Sequence, residues 1–231
     1  MADDAALLNP VWSTLTGPNA RFAQGNDLAA RFDPEVSVFA AFSSTDPSSA
    51  HWNAMAAVIG PAARAVVLIE RYDPPDGWTL LAETPGLQMV KSVPGPTYVV
   101  DPRVLEMTDD DVDDMLALVA ATEPGPFERR TIELGRYIGV REDGALVALA
   151  GQRMQLDDHV EISAVCTDPA VRGQRLASVL MADLIASVEA GGQEPILHVR
   201  QDNTNAIALY ERLGFVVHRP FMARAVQAPP A

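Results

Sequence analysis

A single cysteine, Cys166, occurs in 231 residues, so the chain can form no internal disulfide and no multi-cysteine metal site. No apolar run reaches the roughly 18 residues a membrane-spanning helix needs. The N-terminus, MADDAALLNP, starts acidic where a secretory leader starts basic, and the expected location is cytoplasmic. Basic residues are also scarce: 17 Lys and Arg against 31 Asp and Glu give a net charge of −14, and both halves of the chain are acidic. Such a field excludes nonspecific binding of nucleic acid or of an anionic membrane, and it accommodates an amine-bearing partner. An anionic ligand would need local help from helix N-termini and nearby arginines. What is abundant is apolar content, 48% of residues, ample for a packed core.

Residues 1 to about 35 show no sustained periodicity, and the first ten are expected to be mobile. VSVFAAF, from Val36, reads as a strand. SSTDPSSAHWNAMAAVIG reads as a loop and a helix capped near Ser48 or Ser49 and stopped by Gly60. ARAVVLIERY is the clearest strand of this half, and GWTLLAET and GLQMVKSV follow the PPDG turn as two more. Nothing here forms a Gly-rich phosphate loop or a metal-ligand cluster. The proline-bearing segment 93–102 is expected to connect two domains, 1–102 and 103–231.

In the second half, Thr108 is placed to cap a helix whose first turn carries Asp109, Asp110 and Asp111, charges that favour a helix N-terminus. FERRTIELG is a short helical piece whose position suggests a lid or substrate wall, with Arg129 and Arg130 either meeting an anion or serving as surface charge. RYIGVRED, GALVALAGQRMQ and HVEISAVCT form an antiparallel meander. A helix then runs from about Gln174 to Glu189, with Leu176, Leu180, Leu184 and Val188 at helical steps, and Gly191-Gly192 stops it. PILHV is a buried-type strand and NTNAIALYERLG a last helix. GFVVH with FMARAV looks like a closing hairpin.

The strand 161–167 passes through Asp168-Pro169 into Arg172-Gly173-Gln174-Arg175-Leu176-Ala177, where the helical pattern begins. Unpaired N–H groups at such a junction suit a phosphate. RGQRLA looks like the Arg/Gln-x-x-Gly-x-Gly/Ala pyrophosphate loop of the GCN5-related N-acetyltransferase (GNAT) superfamily, and NTNAIALYERLGF, Asn203 to Phe215, looks like its second motif. With both segments at this spacing, the chain resembles that superfamily over about 104–226, and within it the FR47-like group.

The resemblance implies an α/β (α+β) GNAT fold, a mixed and mostly antiparallel sheet with splayed central parallel strands. The N-terminal half is expected, from element order alone, to be a degenerate copy of the same unit. It implies an enzyme that moves an acetyl group from acetyl-CoA by direct attack of a primary amine, the acceptor being a small molecule, amino acid or peptide. Acetyl-CoA is expected in the groove between PILHV and Val165, Cys166 and Thr167, with its pyrophosphate on Arg172 to Ala177 and with Asn203 nearby. A backbone N–H near Val165 or Cys166 would meet the oxygen that gains charge, and Tyr210, two helical turns after Asn203, would return the proton. Glu161, in a frequent Glu-Ile-x-x-Val position of the family, would draw a proton from the amine or only attract it. Cys166 reads as a packed strand residue, His159 as a second candidate base or a turn residue beside Asp157-Asp158, and His198 as a buried one. The family's glycine is replaced by Arg175, whose side chain either points away or supplies a phosphate contact. That replacement and the unassigned base motivate a competing reading, a catalytically silent acyl-CoA-binding or regulatory module.

Overall fold

The computed structural model describes residues 4–95 and 101–231; the expected connection at 93–102 lies partly outside them. In the first half come helices α1 (Asp4–Leu8) and α2 (Pro10–Thr16), strands β1 (Ala23–Gly25), β2 (Ala29–Phe32) and β3 (Phe39–Phe42), helix α3 (Ser49–Ile59), and strands β4 (Arg64–Leu68) and β5 (Thr79–Lys91). The second half holds β6 (Val104–Glu106), α4 (Val112–Thr122), β7 (Tyr137–Glu142), β8 (Ala145–Gln155), β9 (His159–Thr167), α5 (Leu176–Ala190), β10 (Glu194–Arg200), α6 (Thr204–Arg212) and β11 (Phe215–Gln227).

The eleven strands of the described residues join one sheet in the order β1-β2-β3-β4-β11-β5-β10-β9-β8-β7-β6. The order has a hidden symmetry about its centre. In each half an antiparallel run, three strands in the first (β1 to β3) and four in the second (β6 to β9), is followed by a parallel pair, β3 with β4 and β9 with β10. Each half then gives its last strand to the other: β11 lies antiparallel on β4, and β5 antiparallel on β10. The position 102/103 therefore divides the sequence but not the sheet.

Two readings of the sequence are corrected by this exchange. GWTLLAET and GLQMVKSV are not two strands but the one long β5, which runs through Pro85-Gly86. Pairing with β10 begins only at Gly86, so Pro85 has a ladder partner on the β11 side alone. Likewise GFVVH and FMARAV are not a hairpin but the single β11, which follows β5 along its whole length with a bulge at His218. Two interior rows of backbone groups need partners, and a long neighbour supplies them.

Helix α5 buries Leu176, Leu180, Met181, Leu184, Ile185 and Val188, a stripe at three- and four-residue steps, against the C-terminal strands. The opposite face of the sheet packs Leu7, Val11 and Leu15 of α1 and α2 against Phe39, Met154 and Ile196, residues from both halves. Helix α1 stands within the decile expected to be mobile. Thr108 and Asp111 form the expected cap, with a 3-10 turn preceding α4. Asp111 also binds Arg141 at 2.6 Å; the Thr108 N–H and then the guanidinium hold its carboxyl below the usual range.

Candidate active site

Strands β9 and β10 pair only at Glu194–His159, Pro195–Val160 and Ile196–Glu161, and then diverge. The opening between them is the start of a cavity of about 640 Å³. Its edge on β9 is bulged: Cys166 faces Leu149 and Ser163 faces Gly151, so Ala164 and Val165 together oppose Ala150 alone. Ala164 reaches this by taking φ +55°, a left-handed conformation that costs a non-glycine residue roughly 1–2 kcal/mol. The bulge turns backbone out of the ladder and toward the opening.

Beyond β9, Asp168 accepts from the Ala170 N–H at 2.8 Å and starts the turn that leads to α5. Gly173 has φ +89°, and Arg175, the N-cap of α5, has φ 62° and ψ 20°. The arginine thus adopts the backbone shape a glycine would, with its side chain exposed at the cavity rim. The first turn of α5 keeps its N–H groups free of side-chain caps, as an anion site requires.

Of the residues expected at the site, Val165, Cys166, Thr167, Arg172, Gly173, Arg175, Leu176, Ala177, Asn203 and Tyr210 line this one cavity. Gln174 does not; it is exposed away from the lining. The Asn203 side chain is spent in capping α6, accepting from the Ala206 N–H at 3.2 Å. Tyr210 is buried beside Cys166, and burial first, then this neighbour, pushes its hydroxyl up to about 12. Burial raises the Cys166 thiol as well, which fits a packed strand residue.

Glu161 stands apart from the other expected residues. It is fully buried and lies outside the cavity lining, held by Arg153 Nε and Nη2 at 2.8 and 2.6 Å and by His198 Nδ1 at 2.8 Å. Burial pushes its carboxyl up, but Arg153 and the His198 hydrogen bond outweigh this and hold it at about 2. A carboxylate so committed is a weak base, which favours an orienting role for it. His159 is no turn residue either: it begins β9, 2% exposed, and burial lowers its basicity. Arg129 and Arg130 face ions of the chain itself, Asp113 at 2.7 Å for one and Asp33 and Glu133 at 2.9 and 2.6 Å for the other. The 3-10 turn Thr131–Leu134 that follows them fastens to Val36, and the wall of the cavity is formed earlier, by Thr122 to Pro126.

Sequence reasoning missed two lining residues, Arg153 and His198. Both sit among alternating apolar residues on strands, and a charged group in such a row signals a buried partner. Leu7 O, which only accepts, fixes the Gln88 amide nitrogen at 3.0 Å, and that nitrogen also lies 3.0 Å from His198 Nε2. His198 therefore carries its proton on Nδ1, toward Glu161, and presents a lone pair at Nε2.

A solved structure from Novosphingobium aromaticivorans, assigned to the GNAT family of acetyltransferases, is 35% identical over 96% of this chain and 98% of its own, with a TM-score of 0.87. The chain belongs to the GNAT family. The model of the FR47-like protein family matches residues 137–221, from β7 into β11. Mycothiol acetyltransferase of Brachybacterium faecium is 44% identical over 62 residues, and the N-alpha-acetyltransferase RimI of Mycobacterium tuberculosis 32% over 96. These segments are 26% and 40% of this chain and 19% and 60% of those relatives, so the likeness to each covers only part of its length. Among the described residues no helix is long and apolar enough to cross a membrane, and no three His, Cys, Asp or Glu are grouped to hold a metal ion.

Proposed function

We propose that the chain transfers an acetyl group from acetyl-CoA to a primary amine, with no covalent acyl-enzyme. The observation that carries this is the meeting, in one cavity, of the Ala164 bulge, the uncapped start of α5 and Tyr210. Acetyl-CoA is the acyl donor and enters as substrate. The N–H groups of α5 and Arg172 and Arg175 would hold its pyrophosphate, and the open backbone of Val165 to Thr167 would pair with its amide-bearing arm. A backbone N–H at the bulge would meet the carbonyl oxygen as it gains charge.

Tyr210 stays protonated at neutral pH, as the donor to a departing thiolate must. For the proton that leaves the amine, Glu161 gives way to His198, the imidazole lining the splay. Glu161 orients that ring, and Gln88 donates to the Nε2 lone pair, a neutral contact that an incoming N–H or water can replace. Cys166, with a raised pKa, is not asked to act. The N-terminal half we read as a degenerate copy of the same unit, from its four matching strand pairings.

Purified chain with acetyl-CoA and a broad amine panel, monitored by free thiol, tests the reading. Release of CoA that depends on an amine and drops with Tyr210→Phe supports it. Tight acetyl-CoA binding without any release would favour a silent acyl-CoA-binding module.

A further inference from the structure

The cavity does not end at the splay. It continues across the sheet over β4, β11 and β5, where Val66, Leu68, Ala82, Ala223 and Ala225 line it. The register sets them in two rows across three strands, Val66–Ala225–Ala82 and Leu68–Ala223–Thr84. Paired residues of a sheet share a face and lie about 5 Å apart, so these side chains form one continuous floor. Three of them are alanines, whose single methyl leaves the floor low and flat. Its one polar side chain is the Thr84 hydroxyl.

The walls are apolar too. Phe221 lies over Gly86, where a Cβ would run into its ring, and stands edge-on to His198 with centroids 5.0 Å apart. Phe39 stacks on the Arg153 guanidinium at 4.7 Å. Its Nε and Nη2 are held by Glu161, so the charge of that cation is already balanced within the chain. Among the described lining residues the one carboxylate is Glu123, on the loop across the cavity. In a chain of net charge −14, a floor without carboxylates is notable: it is not built to count the charges of a polyamine.

We infer that the acceptor is a single amine carried on a compact apolar body, aromatic or branched, which lies on the floor that β4, β5 and β11 build together while the nitrogen reaches His198. This rests on the acyl-transfer reading above and names the substrate class of that site. An aromatic or branched body gains from burial on such a floor, and the amine attacks neutral, so no ion pair is needed at its nitrogen.

The test compares 2-phenylethylamine, spermidine and a short peptide with a free N-terminus, by CoA release and, separately, by calorimetric binding of each amine to the intact chain. The arylalkylamine is expected to show kcat/KM about ten-fold or more above the other two. Ala223→Phe, which fills the floor, is expected to raise KM for 2-phenylethylamine about ten-fold while leaving acetyl-CoA affinity and turnover of methylamine near their original values. Ala225→Leu serves the same purpose should the larger residue disturb folding. Preference for spermidine or the peptide, or an unchanged KM in both folded variants, overturns the inference. Binding of 2-phenylethylamine that Ala223→Phe abolishes, with no CoA released by the original chain, supports the floor and sinks the acyl-transfer reading instead.

Discussion

His198 Nδ1 lies 2.8 Å from Glu161 Oε1, a bond that crosses from β10 to β9 at the last rung before the two strands part. The hinge of the splay is thereby a charged hydrogen bond, continued by Arg153 on the far side of the carboxylate. Its burial makes it costly to break and ties the shape of the cleft to the state of three side chains.

Replacing His198 by Ala is expected to lower kcat/KM with a primary amine by about 10²-fold or more at neutral pH. Acetyl-CoA affinity should change little. The deficit should shrink as the assay pH rises, because a larger share of the amine is then neutral without help. A loss that is equal at all pH values would assign His198 to structure alone. Glu123→Gln, which removes the one carboxylate among the described lining residues, should leave the rate within a few-fold.

Tyr210→Phe is expected to reduce kcat by roughly 10²-fold with unchanged acetyl-CoA affinity. Because the hydroxyl is pushed up to about 12, the original chain should lose no rate through its ionisation at ordinary alkaline assay pH. An intact kcat in the variant removes Tyr210 from the chemistry.

Glu161 bears on stability. Its carboxyl is held at about 2 in the fold, against 4.5 when free, so its contribution is complete above about 4.5 and is lost as pH falls toward 2. Arg153→Met leaves a buried carboxylate with a single partner and should destabilise by about 3–5 kcal/mol. Without the guanidinium, burial raises the carboxyl, so the pH dependence should weaken or reverse in sign. Adding Glu161→Gln should recover part of the loss. Thermal unfolding across pH 3 to about 7 reads all three. An Arg153→Met chain as stable as the original would contradict the buried network.

Arg175→Gly separates backbone from side chain. Relief of the left-handed conformation should raise stability by up to about 1 kcal/mol, read as a shift in Tm. Loss of a cation at the rim should weaken acetyl-CoA binding about ten-fold, and the difference should shrink at high salt. Unchanged affinity would show that the arginine is only tolerated.

The cofactor end of the site was legible because it is local. Arg172 to Ala177 is a strand-to-helix junction, and a short segment encodes a junction. Asn203 and Tyr210 lie seven residues apart on one helix, and that spacing alone puts them on one side. Glu161 was visible as a residue but not as a role. Its partner Arg153 sits eight positions back across a hairpin, and His198 comes from a different strand, so the ion network exists only where three strands meet.

By itself the sequence determined most of the helices and strands after about residue 35, because hydrophobic period and caps act within a few residues, and it carried the GNAT resemblance over about 104–226. Only the tertiary structure decided that β5 and β11 change places between the halves, since strand pairing is set by which edges find each other and leaves no local trace. The same exchange brings Ala82 of one half beside Ala225 of the other and so builds the acceptor floor. It also decided that Glu161 is bound while His198 faces the cleft, because burial and partners, not residue type, fix what a titratable group can do.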